Sequence, residues 1–481
     1  MRARAFSVAA FMAAFAVVTS SASSTAREPA FTGASPIPPG IAARRFIKHV
    51  VVIVQENRTF DNLFGGVVGP VLQKPIPYAG ADATVPAAVA PLLRTTSLDV
   101  PGAYGSHDAW ACVNQGTPYP RFSTRQWIAV ARHQIGPAVC TQHDYWFFHA
   151  VPQSQRQIYW EIARAYGLGD KFFAATASAS YPPHQFLVTG GAAFGLNGST
   201  FSIADQPEPE GGCFDDYPTS SVPVVGATDF FSLTLTNLPD SRGHCYDRPT
   251  YGDRLDEAGK SWIHYTTALP RDSGVFDGFI NNRKWYRQTQ NLMTPGSQVA
   301  THFAKAMQVL DDAGSLPQFA WVKPPCIKQS DHPGAGGHNG PNWVGSVINA
   351  IGRSPDWSST VIFVIWDDWG GFYDHVVPPV NAAGRLGPGV RIPFLVVSPY
   401  LAHPGRVTHV TGHPGSIMRF VDELFGLKPL TGFDGTAQEL DGWFDFTSAN
   451  AKRPFVPIAA AAGAGRWNDN MCAGSMLRIA D

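Results

Sequence analysis

The chain has 481 residues, enough for a large buried core, and is 44% hydrophobic and 12% aromatic but only 15% charged, below the roughly 25% usual for soluble globular chains. That balance excludes a disordered chain, a coiled coil and a charged tail. With Lys+Arg 36 against Asp+Glu 37 the net charge is −1, which leaves no electrostatic footprint for nucleic acid.

Residues 1–26 read as a secretory signal peptide: Arg2 and Arg4, an apolar run from Ala5 to Val18, then small residues with cleavage after Ala22 or Ala26. The apolar run is short of the ~20 residues of a membrane span, so a secreted or periplasmic protein without a stable membrane anchor is expected. Export makes Cys112, Cys140, Cys213, Cys245, Cys326 and Cys472, with no C-x-x-C pair among them, candidates for disulfides. Sequence order pairs Cys112 with Cys140, Cys213 with Cys245 and Cys326 with Cys472.

Residues 27–45, rich in Pro, Ala and Gly, read as an extended leader. Four continuous apolar runs then predict strands buried on both faces: Ile47–Gln55 (IKHVVVIVQ), Gln318–Lys323, Thr360–Trp366 and Ile392–Ser398. Helical patterns lie around Gln157–Tyr166, His302–Ala313, Trp343–Ile351 and Gly415–Phe425. Strands alternating with helices predict an α/β fold on a mixed or parallel sheet. Residues 195–260, rich in Pro, Gly, Ser and Asp, read as a loop-rich insertion or cap. The main domain covers 46–445, and 446–481 form an irregular tail.

Ligands of open α/β sheets bind outside the carboxyl ends of strands, and two of the predicted strands end in polar clusters. The first runs into QENRTFDNLFGG (Gln55–Gly66) and the third into WDDWGGFYDH (Trp366–His375). Glu56, Asp367 and Asp368 with the amide oxygen of Asn57 would make a hard, oxygen-rich site suited to a divalent cation. An isolated Asp-Asp pair after a strand is more often capping and turn chemistry. Two such clusters, each following a buried strand, favour the metal.

The segments VVVIVQENRTFDNLFGG (Val50–Gly66), SASYPPHQFLVTGG (Ser178–Gly191), Asp331–Pro333, WDDWGGFYDHVVPP (Trp366–Pro379) and RIPFLVVSPY (Arg391–Tyr400) occur in order. Together they resemble the bacterial phosphoesterase family that contains non-haemolytic-type phospholipases C and secreted acid phosphatases, from about Ile47 to Leu427. The resemblance implies an alkaline-phosphatase-like sandwich, a central mixed, mostly parallel β-sheet flanked by helices. It implies one divalent metal ion held by Glu56, Asn57, Asp367, Asp368 and Ser180, with Ser180 also the nucleophile and Thr176 and Ser178 as neighbouring competitors. Around the phosphate it implies His107 and His332, with His264 as a third, and His332 as first choice for the general acid. His184 and His413 stand near the motifs but are left outside the ligand set. Asp374 and His375 either support the ligands or fix the turn. Asp367-Asp368 departs from the family's commoner Asp-Glu.

The implied activity is secreted, metal-dependent hydrolysis of a phosphate ester through a phosphoseryl intermediate. The substrate is a small phosphomonoester or a phospholipid headgroup, the latter with transient contact to a lipid surface. Little sequence remains after about 445 for the C-terminal β domains that many of these phospholipases carry, so a stand-alone catalytic domain is expected. A secreted binding protein that keeps the fold without turnover is the rival reading; it would be expected to lose Glu56, Asp367 or the hydroxyl at 180, and all three are present. A sulfatase-like hydrolase would need a C/S-x-P-x-R motif, and none stands at the nucleophile segment.

Overall fold

The two longest strands, from the first and third of the apolar runs, pair with each other at the centre of one eight-stranded sheet. The computed structural model describes residues 39–66, 80–95, 97–98, 113, 122–132, 147–176, 180–191, 193–196, 200–204, 221–224, 249–266, 302–326, 329–334, 339–379, 388–447 and 453–459. Strand β1 (His49–Gln55) runs parallel to β6 (Thr360–Trp366), in register from His49 opposite Thr360 to Gln55 opposite Trp366. From Val50 onward β1 is buried, as is the whole of β6, which is why neither alternates polar with apolar residues. The other strands are β2 (Gly167–Gly169), β3 (Trp262–Thr266), β4 (Phe303–Lys305), β5 (Phe319–Val322), β7 (Phe394–Val397) and β8 (Arg406–Thr408). Their order is β8-β2-β7-β6-β1-β5-β3-β4. Only β7 runs antiparallel to its neighbours, β6 and β2; the other pairings of this sheet are parallel.

Helices α1 (Pro39–Phe46), α2 (Phe60–Phe64), α3 (Thr124–Ala131), α4 (Gln153–Ala165), α5 (Tyr181–Thr189), α6 (Tyr251–Glu257), α7 (Gly340–Gly352) and α8 (Pro414–Phe425) accompany the sheet. Helix α4 packs on α7, while α8 packs on α1 and α5. The fold is α/β with a mixed, mostly parallel sheet, as expected.

Several local expectations are corrected. Within His302–Ala313, read as helical, the chain forms β4 and then a helix of only Gln308–Asp311. Strand β3 would otherwise end the sheet there, and Phe303–Lys305 completes its backbone hydrogen bonding. Pro39–Phe46, placed in the extended leader, is α1: Arg44 and Arg45 sit favourably in its last turn, and Arg44 Nε donates to Glu423 O on α8 at 2.9 Å. The loop-rich insertion contains a three-stranded antiparallel sheet (Ala193–Leu196, Thr200–Ala204, Ser221–Val224) and helix α6. In the tail, residues 453–459 are irregular yet pack on the domain. Tyr166 OH donates to Val456 O (2.8 Å), and Asn349 Nδ2 on α7 donates to Ile458 O (3.1 Å).

The signal segment lies outside the described residues, and each expected cysteine pair has at least one member outside them. No helix among the described residues is long and apolar enough to cross a membrane.

Candidate active site

The parallel register of β1 and β6 assembles the site. Because Gln55 lies opposite Trp366, the residues that follow, Glu56-Asn57 and Asp367-Asp368, leave the sheet side by side at its carboxyl edge. Pairing continues past the strands: Asp367 N donates to Gln55 O (2.9 Å) and Arg58 N to Asp368 O (3.1 Å). Asn57 has φ 55°, in the left-handed region that Asn tolerates better than most side chains, and its backbone N–H donates to Asp367 Oδ1 at 2.9 Å. Gly370, at φ 62°, closes the turn after Asp368; a Cβ there would stand 2.5 Å from Asn57 O.

Ser180 arrives from a third segment, immediately before α5. Its backbone is already helical and its side chain makes no capping hydrogen bond, so the hydroxyl is available elsewhere. It donates to Asp368 Oδ2 at 2.7 Å and accepts from Asn57 Nδ2 at 3.2 Å. Asp368, one methylene shorter than the commoner Glu, therefore still reaches the hydroxyl. Thr176 Oγ1 is buried without a hydrogen-bond partner, so it does not engage Asp368, and Ser178 lies outside the described residues.

Glu56 and Asp367 face a residue that sequence reasoning missed. Lys323, the first residue after β5, donates from Nζ to Glu56 Oε1 (2.6 Å) and to His184 Nε2 (2.8 Å). Lysine has only donors, so His184 Nε2 is the acceptor and its ring is neutral. Burial pushes the His184 ring well below its ordinary range, and the nearby Lys323 and His264 push the same way. His184 was left out of the expected ligand set, but its Nε2 lies 3.9 Å from Asp367 Oδ2 and 4.0 Å from Glu56 Oε1. A signal for it was available: four residues after Ser180 on a helix, it shares the serine's face. His413 does stay outside, since its Nδ1 caps α8 by accepting from Gly415 N at 3.1 Å.

The donor set fits a divalent cation. Burial, and then the charge on Asp367, raise the Glu56 carboxyl well above its usual range, with Lys323 opposing. Glu56 Oε2 and Asp367 Oδ2 are both buried without a hydrogen-bond partner, an arrangement that costs free energy unless a cation meets them. Among the described residues, three carboxylates, Glu56, Asp367 and Asp368, stand against the ammonium of Lys323, a shortfall of two positive charges. Oxygen donors of this kind suit hard divalent ions.

The expected phosphate-binding histidines divide. His332 Nδ1 donates to Pro333 O (2.7 Å), and burial holds its ring below the ordinary range, against opposing contributions that include Asp367. The segment bearing it is fixed by Asp331, whose Oδ2 accepts from Tyr159 OH (2.7 Å) and Trp366 Nε1 (2.9 Å). Arg58, also buried, clamps the Asp331 carbonyl from Nε (2.9 Å) and Nη2 (2.6 Å). His264 is buried on β3, one strand beyond Lys323, beside Trp321. His107 lies outside the described residues.

Asp374 and His375 fix the turn. Asp374 Oδ1 accepts from Arg391 Nε at 2.8 Å, and His375 bridges Asp61 (Nδ1 to Oδ2, 2.8 Å) and Asp82 (Nε2 to Oδ1, 2.7 Å). Asp61, Asp374 and His375 converge closely enough to hold an ion, but the guanidinium of Arg391, fully buried and paired to both aspartates, already supplies the positive charge.

Comparison with known proteins places these residues in context. The model of a family described as "Phosphoesterase family" matches residues 47–428. A non-hemolytic phospholipase C of Burkholderia pseudomallei is 25% identical over 86% of this chain and 61% of its own length, so the chain spans about three fifths of that relative. Non-specific phospholipase C3 of Arabidopsis thaliana is 32% identical over 85% of this chain and 75% of its own. Among solved structures, a protein in the alkaline phosphatase superfamily from Vibrio parahaemolyticus covers 58% of this chain and 63% of its own at 13% identity, with a TM-score of 0.28.

Proposed function

The chain belongs to the phosphoesterase family, and from that premise we propose that it is a secreted or periplasmic hydrolase of phosphate esters that attacks through Ser180. The observation that carries the reading is the Ser180 hydroxyl, donated to Asp368 Oδ2 at 2.7 Å and held by Asn57 among buried, under-neutralised carboxylates. Glu56, Asn57, Asp367, Asp368 and Ser180 would hold one divalent ion. That ion, when bound, supplies positive charge that offsets the phosphate and lowers the pKa of the attacking hydroxyl.

The chain's own residues account for the rest. Asp368 takes the Ser180 proton as Oγ bonds to phosphorus, and the bond from phosphorus to the leaving oxygen breaks. His332, whose Nδ1 donates to Pro333 O, is assigned the proton transfer through its other ring nitrogen. A phosphate anion beside the ring favours its protonated form, and that proton goes to the leaving oxygen. Water then attacks the phosphoserine as His332 takes its proton, the bond from phosphorus to Ser180 Oγ breaks, Asp368 returns its proton to Oγ, and phosphate leaves. Asn57 Nδ2 positions the nucleophile, while His107 and His264 are assigned to the non-bridging oxygens.

The relatives named above are phospholipases C, so a phospholipid headgroup diester, met at a lipid surface, is the first substrate class and a small phosphomonoester the second. The test is hydrolysis of p-nitrophenylphosphorylcholine and p-nitrophenyl phosphate by the mature protein with divalent ions, beside Ser180→Ala and Asp367→Asn. Ser180→Ala is expected to lose at least ~10³-fold in kcat. Full activity in that variant refutes the nucleophile, and no wild-type turnover of either substrate refutes the enzyme.

A further inference from the structure

Lys323 sits where a metal ligand set converges. Glu56 Oε1, His184 Nε2 and Asp367 Oδ2 form a buried group, with the imidazole nitrogen 4.0 Å from the first oxygen and 3.9 Å from the second. Two carboxylates and one neutral imidazole are a donor set that transition-metal dications accept. The Lys323 ammonium already occupies two of the three lone pairs, at 2.6 Å from Glu56 and 2.8 Å from His184. Its backbone holds it there: Lys323 N donates to Tyr265 O on β3 (2.8 Å), which continues the β5 ladder by one residue. The seat of the single ion, made by Ser180 Oγ, Asp368 Oδ2 and the Asn57 amide with the unpaired Glu56 Oε2 and Asp367 Oδ2, needs neither of the two lone pairs that the lysine occupies.

Charge points the same way. Against three carboxylates, one ammonium and one divalent ion give neutrality. A second divalent ion beside the lysine would leave two uncompensated positive charges in a buried pocket, a costly state.

We propose that Lys323 is a built-in cation that fills the Glu56–His184–Asp367 seat and thereby restricts the site to a single divalent ion. In this role Lys323 is a positioning residue: it pins Glu56 through Oε1 and leaves Oε2 for the ion in the neighbouring seat. The inference rests on the metal-dependent reading above and concerns the number of ions, not the reaction.

The test counts Mn²⁺ bound per chain by equilibrium dialysis of metal-stripped full-length protein, with electron paramagnetic resonance to detect spin coupling between adjacent ions. Wild type is expected to bind one ion. Lys323→Met, similar in length and uncharged, is expected to bind two, with a coupled spectrum, and adding His184→Ala to that variant is expected to restore one. A count of one in folded Lys323→Met, or of two in wild type, overturns the proposal. A count of none in wild type overturns the metal reading itself and this inference with it, so the two failures are distinguishable. Lys323→Gln serves if the Met variant does not fold. His184→Ala alone gives an independent check: it is expected to keep one ion, and loss of that ion shows His184 to be its ligand and overturns the proposal.

Discussion

Replacing Arg391 with methionine tests whether the turn after the Asp367-Asp368 pair is held by charge. The guanidinium is fully buried and each of its nitrogens donates: Nε to Asp374 Oδ1 (2.8 Å), Nη2 to Asp61 Oδ1 (3.1 Å), and Nη1 to the carbonyls of Asp82 and Asp170 (2.8 Å each). It also lies over the Phe60 ring at 4.4 Å. Methionine preserves bulk and the contact with Phe60 but removes every donor. Asp374 would keep its bonds from Asp61 N and Val376 N but lose its counter-ion, and breaking a buried pair from one side costs about 3–5 kcal/mol. The two orphaned carbonyls add to this, so the loss is a large share of the ~5–15 kcal/mol that holds a domain together. Urea unfolding followed by tryptophan fluorescence is expected to show a midpoint lowered accordingly. Neutralising the stranded acid should recover part of the loss, so Arg391→Met/Asp374→Asn is expected to be more stable than Arg391→Met. A loss below ~1 kcal/mol, or no recovery in the double variant, would refute the electrostatic account.

Two further expectations follow from named contacts. Burial alone would lower the His375 ring, but the Asp61 carboxylate more than reverses this and raises it to about 9. A raised histidine stabilises the fold fully below its unfolded value near 6.5, and the contribution, ~3 kcal/mol, is lost as pH rises from there through about 9. Thermal midpoints measured from pH 6 to 10 should fall across that window, and the fall should flatten in His375→Gln; an unchanged slope counts against the assignment. Gly370→Ala places a side chain at φ 62° and 2.5 Å from Asn57 O. It is expected to cost ~1–2 kcal/mol from the backbone alone and, by displacing Asn57, ~10²-fold in hydrolysis rate. Wild-type turnover in that variant would show that Asn57 does not depend on the close approach.

The strands that the sequence made legible are those whose burial removes ambiguity. β1 and β6 are continuous apolar runs because both faces are covered, and such runs stand out without any partner being known. β2 did not, because Gly167–Gly169 carries almost no side-chain signal; it is a strand because it pairs with β7 and β8, and Gly167 leaves room for Trp443, 2.8 Å from the position a Cβ would take. β4 and β8, three residues each, are defined by the neighbour they pair with. The carboxylates of the site were legible as polar residues placed directly after buried strands. Lys323 was not: it reads as the last residue of an apolar run, and its partner Glu56 lies 267 positions away. Only the order β6-β1-β5-β3 brings them together, and no local pattern encodes strand order.

That strand order also explains why the site tolerates so much buried charge. Asp367-Asp368, Glu56-Asn57 and Lys323 directly follow the carboxyl ends of three neighbouring parallel strands, so their spacing is set by the ladder rather than by flexible loops. A one-residue slip of β1 against β6 would exchange its two buried faces and misplace every side chain packed there, and seven in-register pairs resist it. Apolar pairing of β1 with β6 therefore holds Glu56 close to Asp367 despite their repulsion. The charge held there is what a divalent ion, a lysine and an anionic substrate would share.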